Sequence, residues 1–371
     1  MVTTFESAVQ NVPETPALVV DLPTVEKNIH KLKSYAEQHR LNVRPHTKTH
    51  KSRLISRLQI EAGAYGLTVA KAGEAEALAE ETSDILVAYP AVDPARTSRL
   101  ARLAVSKTIR VAVDSAFGVA ALADAARAAG TTIGILVDVD VGVHRTGAQS
   151  SQAALELAQL TASLAPHVRL DGIFFYPGHV WSPASEQHQE LAAVDQVLSE
   201  VISLWKSHGL QAGIVSGGST PALYQSHHVP SQTEIRPGTY VYNDMNTQRA
   251  GFCTFEEISA ALVCTIVSTS VPGKAIVDGG TKTFTSDRNV RFPDSGHGFV
   301  REYPEAKLLR LSEEHGELDL SLCSRRPALG ERVTIIPNHI CPCVNLQDQI
   351  YLQRADHSLE TVNIDSRGCL T

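Results

Sequence analysis

The sequence predicts a (β/α)8 barrel of the TIM type, followed by a smaller and mostly antiparallel β domain. Two observations favour this fold. From about residue 24 to about residue 245, short apolar runs alternate with longer Ala- and Leu-rich segments of helical spacing, which is the pattern of βα units. After about residue 245 helical segments become rare, and strand-like runs are joined by turns that contain Gly, Pro and Asp.

Eight apolar runs make up the predicted barrel strands. They are rich in β-branched residues and show little alternation, which is typical of parallel strands that are buried on both faces. Eight strands of this kind favour a closed barrel over an open sheet. The runs are residues 42–45, 66–69, 85–88, 109–113, 133–139, 170–175, 213–216 and 233–237.

The remaining elements follow from the same patterns. Helical spacing predicts helices that include residues 25–39, 70–81, 116–129, 152–165 and 186–208. Strands of the β domain are predicted at residues 17–20, 263–271, 274–277, 331–336 and 349–352. We therefore expect the barrel to cover residues 21–245 and the β domain to comprise residues 1–20 and 246–371.

Composition excludes several classes of function. The chain has 371 residues, of which 43% are hydrophobic, and a net charge of -7 without any long basic run, which argues against a nucleic-acid partner. No run approaches the roughly 20 apolar residues that span a bilayer, and no basic stretch with an apolar core opens the sequence. We expect a soluble cytoplasmic protein.

The unusual polar residues fall where an α/β barrel carries its chemistry, in the loops after the C-terminal ends of the strands. Five of these loops contain nearly all of the polar clusters of the predicted barrel. In chain order the clusters include Lys48, Arg145, Tyr176, His179, Ser216 and Gly238.

Lys48 lies in a basic cluster that runs from His46 to Lys51. One interpretation is a solvated loop. The other is an active amine, because neighbouring cationic groups disfavour an ammonium and allow a lysine to form an imine at neutral pH. Lys51 is an alternative, but Lys48 lies nearer to the end of the strand and is the favoured residue.

The loop Ser216-Gly217-Gly218-Ser219-Thr220 follows the seventh predicted strand. It is either a tight turn or an anion cradle of backbone N–H groups. Phosphate sites recur after strands seven and eight of such barrels, and Gly238 and Tyr240 lie in the next loop. We favour phosphate binding.

Three further side chains in the loops after the predicted barrel strands have both a structural and a functional interpretation. Arg145 either forms a surface ion pair with Asp138 or Asp140, or approaches a bound ring. Tyr176 and His179 are either ordinary loop residues, or they pack on a cofactor and relay protons.

A separate motif in the β domain contains His339 and Cys341. If the segment is extended, His-x-Cys places both side chains on one side of a strand, and imidazole with thiolate is a typical pair of zinc ligands. A buried histidine with an inert thiol is the alternative, and Cys343 would face the same side. Two protein ligands would leave open positions on a metal, as catalysis requires.

Together these motifs resemble the fold-type III pyridoxal-phosphate enzymes, whose barrel is that of the alanine racemase-like group, and within them the D-serine dehydratase and D-threonine aldolase family. The resemblance covers essentially the whole chain. Its most specific part is Arg44-Pro45-His46-x-Lys48-Thr49. The other motifs in register are Gly142-x-x-Arg145-x-Gly147, Tyr176-x-Gly178-His179, Ser216-Gly217-Gly218, Pro237-Gly238-x-Tyr240 and His339-x-Cys341.

The resemblance implies roles for these residues. Lys48 would be the Schiff-base lysine and would take the α-proton, and Arg145 would contact the phenolic oxygen of pyridoxal 5'-phosphate. Tyr176 would lie near the pyridine ring, with His179 beside it as a catalytic candidate. Ser216, Gly217, Gly218, Gly238 and Tyr240 would hold the phosphate, and His339 and Cys341 would bind a divalent metal.

The resemblance also implies a reaction, namely metal-assisted lyase chemistry on D-3-hydroxy-α-amino acids such as D-serine, D-threonine or D-3-hydroxyaspartate. Cys341 favours dehydration to a keto acid and ammonia, since dehydratases of the family carry His-x-Cys. Retro-aldol cleavage to glycine and an aldehyde is the alternative, and a metal-independent amino-acid racemase is a further one. A thiolate suits zinc better than manganese or magnesium. Enzymes of this group are usually homodimers.

Overall fold

The computed structural model describes residues 5–371. Residues 1–4, the start of the segment predicted to belong to the β domain, lie outside the described residues. The described chain forms two compact units. The β unit comprises the residues up to Ile29 together with Thr49–Lys51 and Thr239–Arg367, and the barrel unit comprises His30–Lys48, Ser52–Gly238 and Gly368–Thr371.

Strands and helices alternate in the first two-thirds of the chain, and strands dominate the last third. The strands are β1 Ala17–Asp21, β2 Asn42–Val43, β3 Leu67–Val69, β4 Asp84–Val87, β5 Thr108–Val113, β6 Ile133–Val139, β7 Val168–Phe175, β8 Ile214–Gly217, β9 Glu234–Ile235, β10 Ala260–Ser268, β11 Lys274–Val277, β12 Gly298–Val300, β13 Lys307–Leu311, β14 Gly316–Asp319, β15 Arg332–Pro337, β16 Gln349–Gln353 and β17 Leu359–Asn363. The helices are α1 Glu6–Asn11, α2 Leu22–His39, α3 Arg53–Glu61, α4 Ala72–Leu78, α5 Pro94–Leu103, α6 Ala116–Ala129, α7 Ser151–Ser163, α8 Gln187–Ser207, α9 Met245–Arg249, α10 Thr281–Phe284 and α11 Ile340–Leu346.

The barrel unit is built on an eight-stranded parallel sheet in the order β2-β9-β8-β7-β6-β5-β4-β3. The two ends of this sheet meet, because Tyr65 N donates to Val43 O (2.8 Å) and Thr68 N donates to Pro45 O (2.9 Å). His46 also forms a parallel bridge with Thr68. The predicted (β/α)8 barrel is therefore confirmed.

Helices of the barrel unit begin where the sequence supplies capping side chains. Ser52, Asp93, Ser115 and Ser150 each accept a backbone N–H of the following first turn, at the starts of α3, α5, α6 and α7. Such caps stabilise a helix by about 1 kcal/mol each. Apolar faces of helices in the barrel unit pack with the barrel strands in two clusters, which include Leu100 of α5, Leu122 of α6, and Leu198 and Trp205 of α8.

A buried ionic network links residues in or beside five strands of the barrel unit. Arg44 is fully buried and forms ion pairs with Glu234 (2.9 Å) and Asp84. Arg110 joins Asp84 to Asp171, with 2.7 Å between its Nε and Asp171 Oδ2. Because each of these charges is paired, the interior tolerates them.

The β unit is a nine-stranded sheet in the order β11-β14-β13-β12-β15-β10-β1-β16-β17. Strand β10 also pairs with β11, so β10 to β15 close into a small antiparallel barrel. β1 extends it through antiparallel pairing with β10 and parallel pairing with β16. The predicted second domain, mostly antiparallel, is therefore confirmed as to fold class. No helix within residues 5–371 combines the length and hydrophobicity needed to cross a membrane.

Candidate active site

Lys48 lies in a 3-10 helix, Thr47–Thr49, that follows β2. Its side chain is exposed, although the flanking Thr47 and Thr49 are buried. Lys51 differs, because its side chain is buried, its backbone is left-handed (φ 52°) and its Nζ donates to Ser366 O at 3.4 Å. Of the two lysines that the sequence offered, Lys48 presents the accessible amine.

The loop after β6 is shaped by Asp140. Its carboxylate accepts the N–H groups of Gly142 and His144, both at 3.0 Å, and lies 2.7 Å from His144 Nδ1. Burial alone would raise the pKa of Asp140, but these donors lower it to about 2. An ionised Asp140 therefore holds the loop that carries Arg145.

Arg145, Tyr176 and His179 come together in the barrel unit. The Arg145 guanidinium lies 4.9 Å from the centre of the Tyr176 ring, within the range of a cation–π contact. A Cβ atom at Gly142 would lie 3.1 Å from the His179 ring, so that ring packs against the Arg145 loop. Side chains from the ends of β6 and β7 thus share one surface.

The backbone of the loop after β8 packs closely against the Phe175 ring. A Cβ atom at Gly217 would lie 2.0 Å from the Phe175 ring, and Gly218 has a left-handed φ of 101°, so both positions require glycine. Ser216 is buried and its hydroxyl donates to Glu234 Oε1 (2.6 Å), which links the loop to the ionic network. Gly238 is also buried, at the end of the next loop.

Arg236 is a buried cation that the sequence analysis did not single out. Its guanidinium donates to Phe175 O (2.6 Å) and stacks over the Phe174 ring at 3.8 Å. Burial lowers its pKa to about 10. Nothing among residues 5–371 forms a hydrogen bond with its Nε. Its only signal in the sequence is an arginine at a strand end beside Pro237-Gly238, and its orphaned donor fits a polar group on a bound ligand.

Near Arg236 the carboxyl of Asp138 is buried at the end of β6. Burial raises the pKa of Asp138 to about 6, against the opposing effects of Thr146, Arg236 and Arg145. The barrel unit therefore fits an anionic, polar cofactor: it has an accessible lysine, a glycine loop, two arginines and a carboxyl that titrates near neutral pH.

In the β unit, Tyr240 is buried in a 3-10 helix, Thr239–Val241. His339 and Cys341 are partly buried, but the expectation that their segment is extended was wrong. His339 is the N-cap residue of α11, and Cys341 lies in the first turn of that helix. The proline at position 342 is compatible with this, because N–H groups in the first turn have no partner within the helix.

His339 and Cys341 are nevertheless brought together, since the thiol and the imidazole are hydrogen-bonded to each other. Burial by itself would lower the pKa of His339, but Cys341, Asp244 and Asp287 raise it to about 9. Hydroxyl groups approach Cys341 Sγ from Thr49 (3.1 Å) and Thr239 (3.6 Å). An imidazole beside a thiol is a pair of side chains that suits a divalent metal such as zinc.

Cys343 does not share this environment. It is buried and donates to Phe284 O and His339 O, and burial raises its pKa well above that of a free thiol. Within residues 5–371, no three side chains of His, Cys, Asp and Glu are arranged to hold a metal. His339 and Cys341 are therefore a candidate pair of ligands without a third such side chain among these residues.

Comparison with known families assigns most of the chain to two described domains. Residues 20–246 match the family model "Alanine racemase, N-terminal domain", and residues 259–353 match "Putative serine dehydratase domain". A 3-hydroxy-D-aspartate aldolase of Paracoccus denitrificans (strain Pd 1222) is 31% identical over 369 residues, covering 96% of this chain and 92% of the relative. The chain is a fold-type III pyridoxal-phosphate enzyme of the D-serine dehydratase and D-threonine aldolase family.

Other members of this lyase family are similar over nearly their full length. A D-threo-3-hydroxyaspartate dehydratase of Delftia sp. (strain HT23) is 30% identical over 88% of this chain and 91% of the relative. The crystal structure of D-threonine aldolase from Filomicrobium marinum has a TM-score of 0.89 and 28% identity, covering 96% of this chain and 97% of that one. Alanine racemase from Bacillus anthracis shares the fold, with a TM-score of 0.71 and 15% identity over 95% of this chain and 99% of that one.

Proposed function

We propose that this chain is a pyridoxal-phosphate-dependent, metal-assisted lyase that acts on D-3-hydroxy-α-amino acids. The observation that carries the proposal is the adjacent pair His339 and Cys341, in a chain whose barrel presents an accessible Lys48 after β2. Relatives named as aldolases and dehydratases of D-threonine, D-serine and 3-hydroxy-D-aspartate support the substrate class.

Within this proposal the barrel unit holds the cofactor. Lys48 would attach the cofactor, Arg145 and Tyr176 would contact it, and Gly217, Gly218 and Gly238 would bind its phosphate, together with Ser216 and Tyr240. The cofactor, when bound, withdraws electron density from Cα of an attached amino acid. Lys48 Nζ would then take the proton at Cα, and Tyr176 and His179 are further candidates for moving protons.

His339 and Cys341 would hold the metal in the β unit. A metal held there would supply Lewis acidity toward the β-hydroxyl oxygen of the substrate, and a thiolate ligand would favour zinc over manganese or magnesium. One related D-threo-3-hydroxyaspartate dehydratase variant has been solved in a metal-free form, which supports a metal in this family.

Two outcomes are open to a substrate held in this way. We favour dehydration, in which the β-hydroxyl leaves and the products are a keto acid and ammonia, because Cys341 follows the His-x-Cys pattern of the dehydratases. Retro-aldol cleavage breaks the Cα–Cβ bond and gives glycine and an aldehyde. The 31% identity to a 3-hydroxy-D-aspartate aldolase favours this second candidate.

The deciding experiment incubates the zinc-loaded enzyme with D-serine, D-threonine and D-3-hydroxyaspartate, and with the L-enantiomers as matched controls. Keto acid and ammonia in equal amounts are expected with the D-amino acids. Glycine with an aldehyde would assign the aldolase instead. Removal of metal by a chelator should abolish either reaction, and zinc should restore it. Racemisation that survives complete chelation would replace the proposal with a metal-independent racemase.

We further propose that the enzyme is cytoplasmic and homodimeric, with no nucleic-acid or membrane partner, and that residues 21–245 and residues 1–20 with 246–371 form its two domains. The net charge of -7 argues against a nucleic-acid partner, membership in this family supports the dimer, and the family models that match residues 20–246 and 259–353 support the two domains. The mass of the assembly in solution tests the dimer.

A further inference from the structure

Asp287 is the acidic side chain in hydrogen-bond contact with the candidate metal ligand His339. Its Oδ2 lies 3.1 Å from His339 Nδ1, and both side chains are about half exposed. An imidazole that donates its Nδ1 proton to a carboxylate carries its lone pair on Nε2. The contact therefore selects the tautomer whose Nε2 can bind a metal.

The loop that carries Asp287 is fastened to the segment that carries His339. Asn338, the residue before His339, donates to Asp287 O (3.3 Å) and to Gly296 O (2.8 Å). The Asp287 N–H also donates to Thr285 Oγ1 at 3.3 Å. These bonds fix the carboxylate relative to the imidazole.

The same loop is anchored to α9 a few residues further on. Asn289 Nδ2 donates to Met245 O (3.0 Å), and Val290 N donates to Asn246 Oδ1 (2.9 Å). Such anchoring is what a positioning carboxylate needs, because a mobile aspartate would leave both tautomers of the imidazole populated.

We propose that Asp287 is a positioning residue for the metal centre, holding His339 in the orientation and tautomer that bind a divalent ion through Nε2. The proposal rests on the proposed metal site at His339 and Cys341 and deepens it. Metal-binding histidines commonly donate their second N–H to a carboxylate, and loss of that partner typically weakens metal binding by about 10- to 100-fold.

Zinc affinity tests the proposal directly. The dissociation constant of the cofactor-loaded full chain is measured by competition with a chromophoric chelator, for the wild type, Asp287→Ala and Asp287→Asn. We expect about 10- to 100-fold weaker binding in Asp287→Ala and a smaller loss in Asp287→Asn, because the amide oxygen still accepts the Nδ1 proton. Asp294→Ala, an exposed aspartate seven positions further on, is the matched control and should bind zinc as the wild type does.

Cobalt spectra separate positioning from general loosening of the protein. In Asp287→Ala we expect the near-ultraviolet charge-transfer band of a cysteine thiolate to persist, while the visible ligand-field bands change because the imidazole has turned. Unchanged visible bands, wild-type zinc affinity in Asp287→Ala, or an equal loss in Asp294→Ala would each overturn the proposal.

His339→Ala distinguishes this inference from the proposed function. If His339→Ala still binds zinc as tightly as the wild type, the assignment of the metal site itself fails. If His339→Ala loses zinc while Asp287→Ala retains it, the role of Asp287 fails and the metal site stands.

Discussion

Lys48 and Lys51 lie three positions apart and differ in what can reach them. Lys48 is exposed after β2, whereas Lys51 is buried and its Nζ donates to Ser366 O. An imine forms only at an amine that a carbonyl compound can approach, and a buried amine that donates a hydrogen bond would first have to give up that bond. Accessibility therefore favours Lys48 as the cofactor lysine.

Arginine substitutions at the two lysines test this assignment, because a guanidinium keeps the positive charge and forms no imine with the cofactor. We expect Lys48→Arg to remain colourless after incubation with pyridoxal phosphate, and Lys51→Arg, the matched control, to become yellow like the wild type. Visible absorbance gives the first measurement. Borohydride reduction and peptide mass mapping then identify the labelled lysine, and a label on any residue other than Lys48 contradicts the assignment.

At the scale of elements, the sequence predicts buried parallel strands well and short or exposed strands poorly. The limits of β6 match the predicted run, and the other barrel strands lie within a few residues of theirs, because a strand buried on both faces needs a continuous apolar run. β12, β13, β14 and β17 were not predicted. β12 has three residues and β17 is largely exposed, so neither contains an apolar pattern that differs from a loop.

His339 and Cys341 are brought together by the start of a helix and not by a strand. The His-x-Cys spacing was interpreted for an extended segment, but β15 ends at Pro337 and α11 begins at Ile340, directly after His339. His339 and Cys341 meet because one is the N-cap residue and the other lies in the first turn. Their partners Asp244 and Asp287 are distant in sequence, and no local pattern predicts such contacts.

Asp244 connects the starts of two helices and provides a prediction at this scale. One carboxylate oxygen caps α9 through Thr247 N (3.0 Å), and the other accepts Ile340 N (3.2 Å) at the start of α11. Asp244→Ala removes the cap and leaves a buried N–H unpaired, so we expect the free energy of unfolding to fall by about 2–4 kcal/mol. Denaturant titration measures this, and zinc affinity should fall as well.

Ser150→Ala is the matched control for Asp244→Ala. Ser150 caps α7 in the barrel unit, where its hydroxyl accepts Ala153 N at 3.1 Å. Its loss is expected to cost about 1 kcal/mol and to leave zinc affinity unchanged. Equal effects of the two substitutions on stability and on zinc affinity would show that Asp244 is an ordinary cap.

At the scale of the whole molecule, charges on different strands meet inside the barrel in combinations that the sequence does not reveal. Arg44, Asp84, Arg110, Asp171 and Glu234 come from or flank five strands and form one network. Alternation of apolar runs and helices predicts the barrel, but it contains no information on which charges pair across it. The division at residues 21–245 stays a prediction.

The buried carboxyl of Asp138 affects the stability of the whole molecule as pH changes. Burial raises its pKa from the 3.8 of a free aspartate to about 6. The folded protein therefore binds more protons than the unfolded chain between these two values, and the free energy of unfolding falls as pH rises through this range. A shift of this size lowers the free energy of unfolding by about 3 kcal/mol. This loss of stability is absent below the pKa of the unfolded chain and complete above the pKa of the folded protein.

Asp138→Asn removes this titration while nearly preserving shape. Without cofactor, we expect the free energy of unfolding of the variant, relative to the wild type, to increase by about 2 kcal/mol between about pH 4.5 and about pH 7. Altered contacts with Arg236 and Arg145 add a difference that does not change with pH and so does not affect this trend. Denaturant titrations of both proteins across this range measure the difference, in which the titration of all other groups cancels. Asp294→Asn, exposed in the β unit, should show no such trend. If the stability difference between Asp138→Asn and the wild type does not change with pH, the Asp138 carboxyl is ionised at acid pH and the neighbouring arginines outweigh its burial.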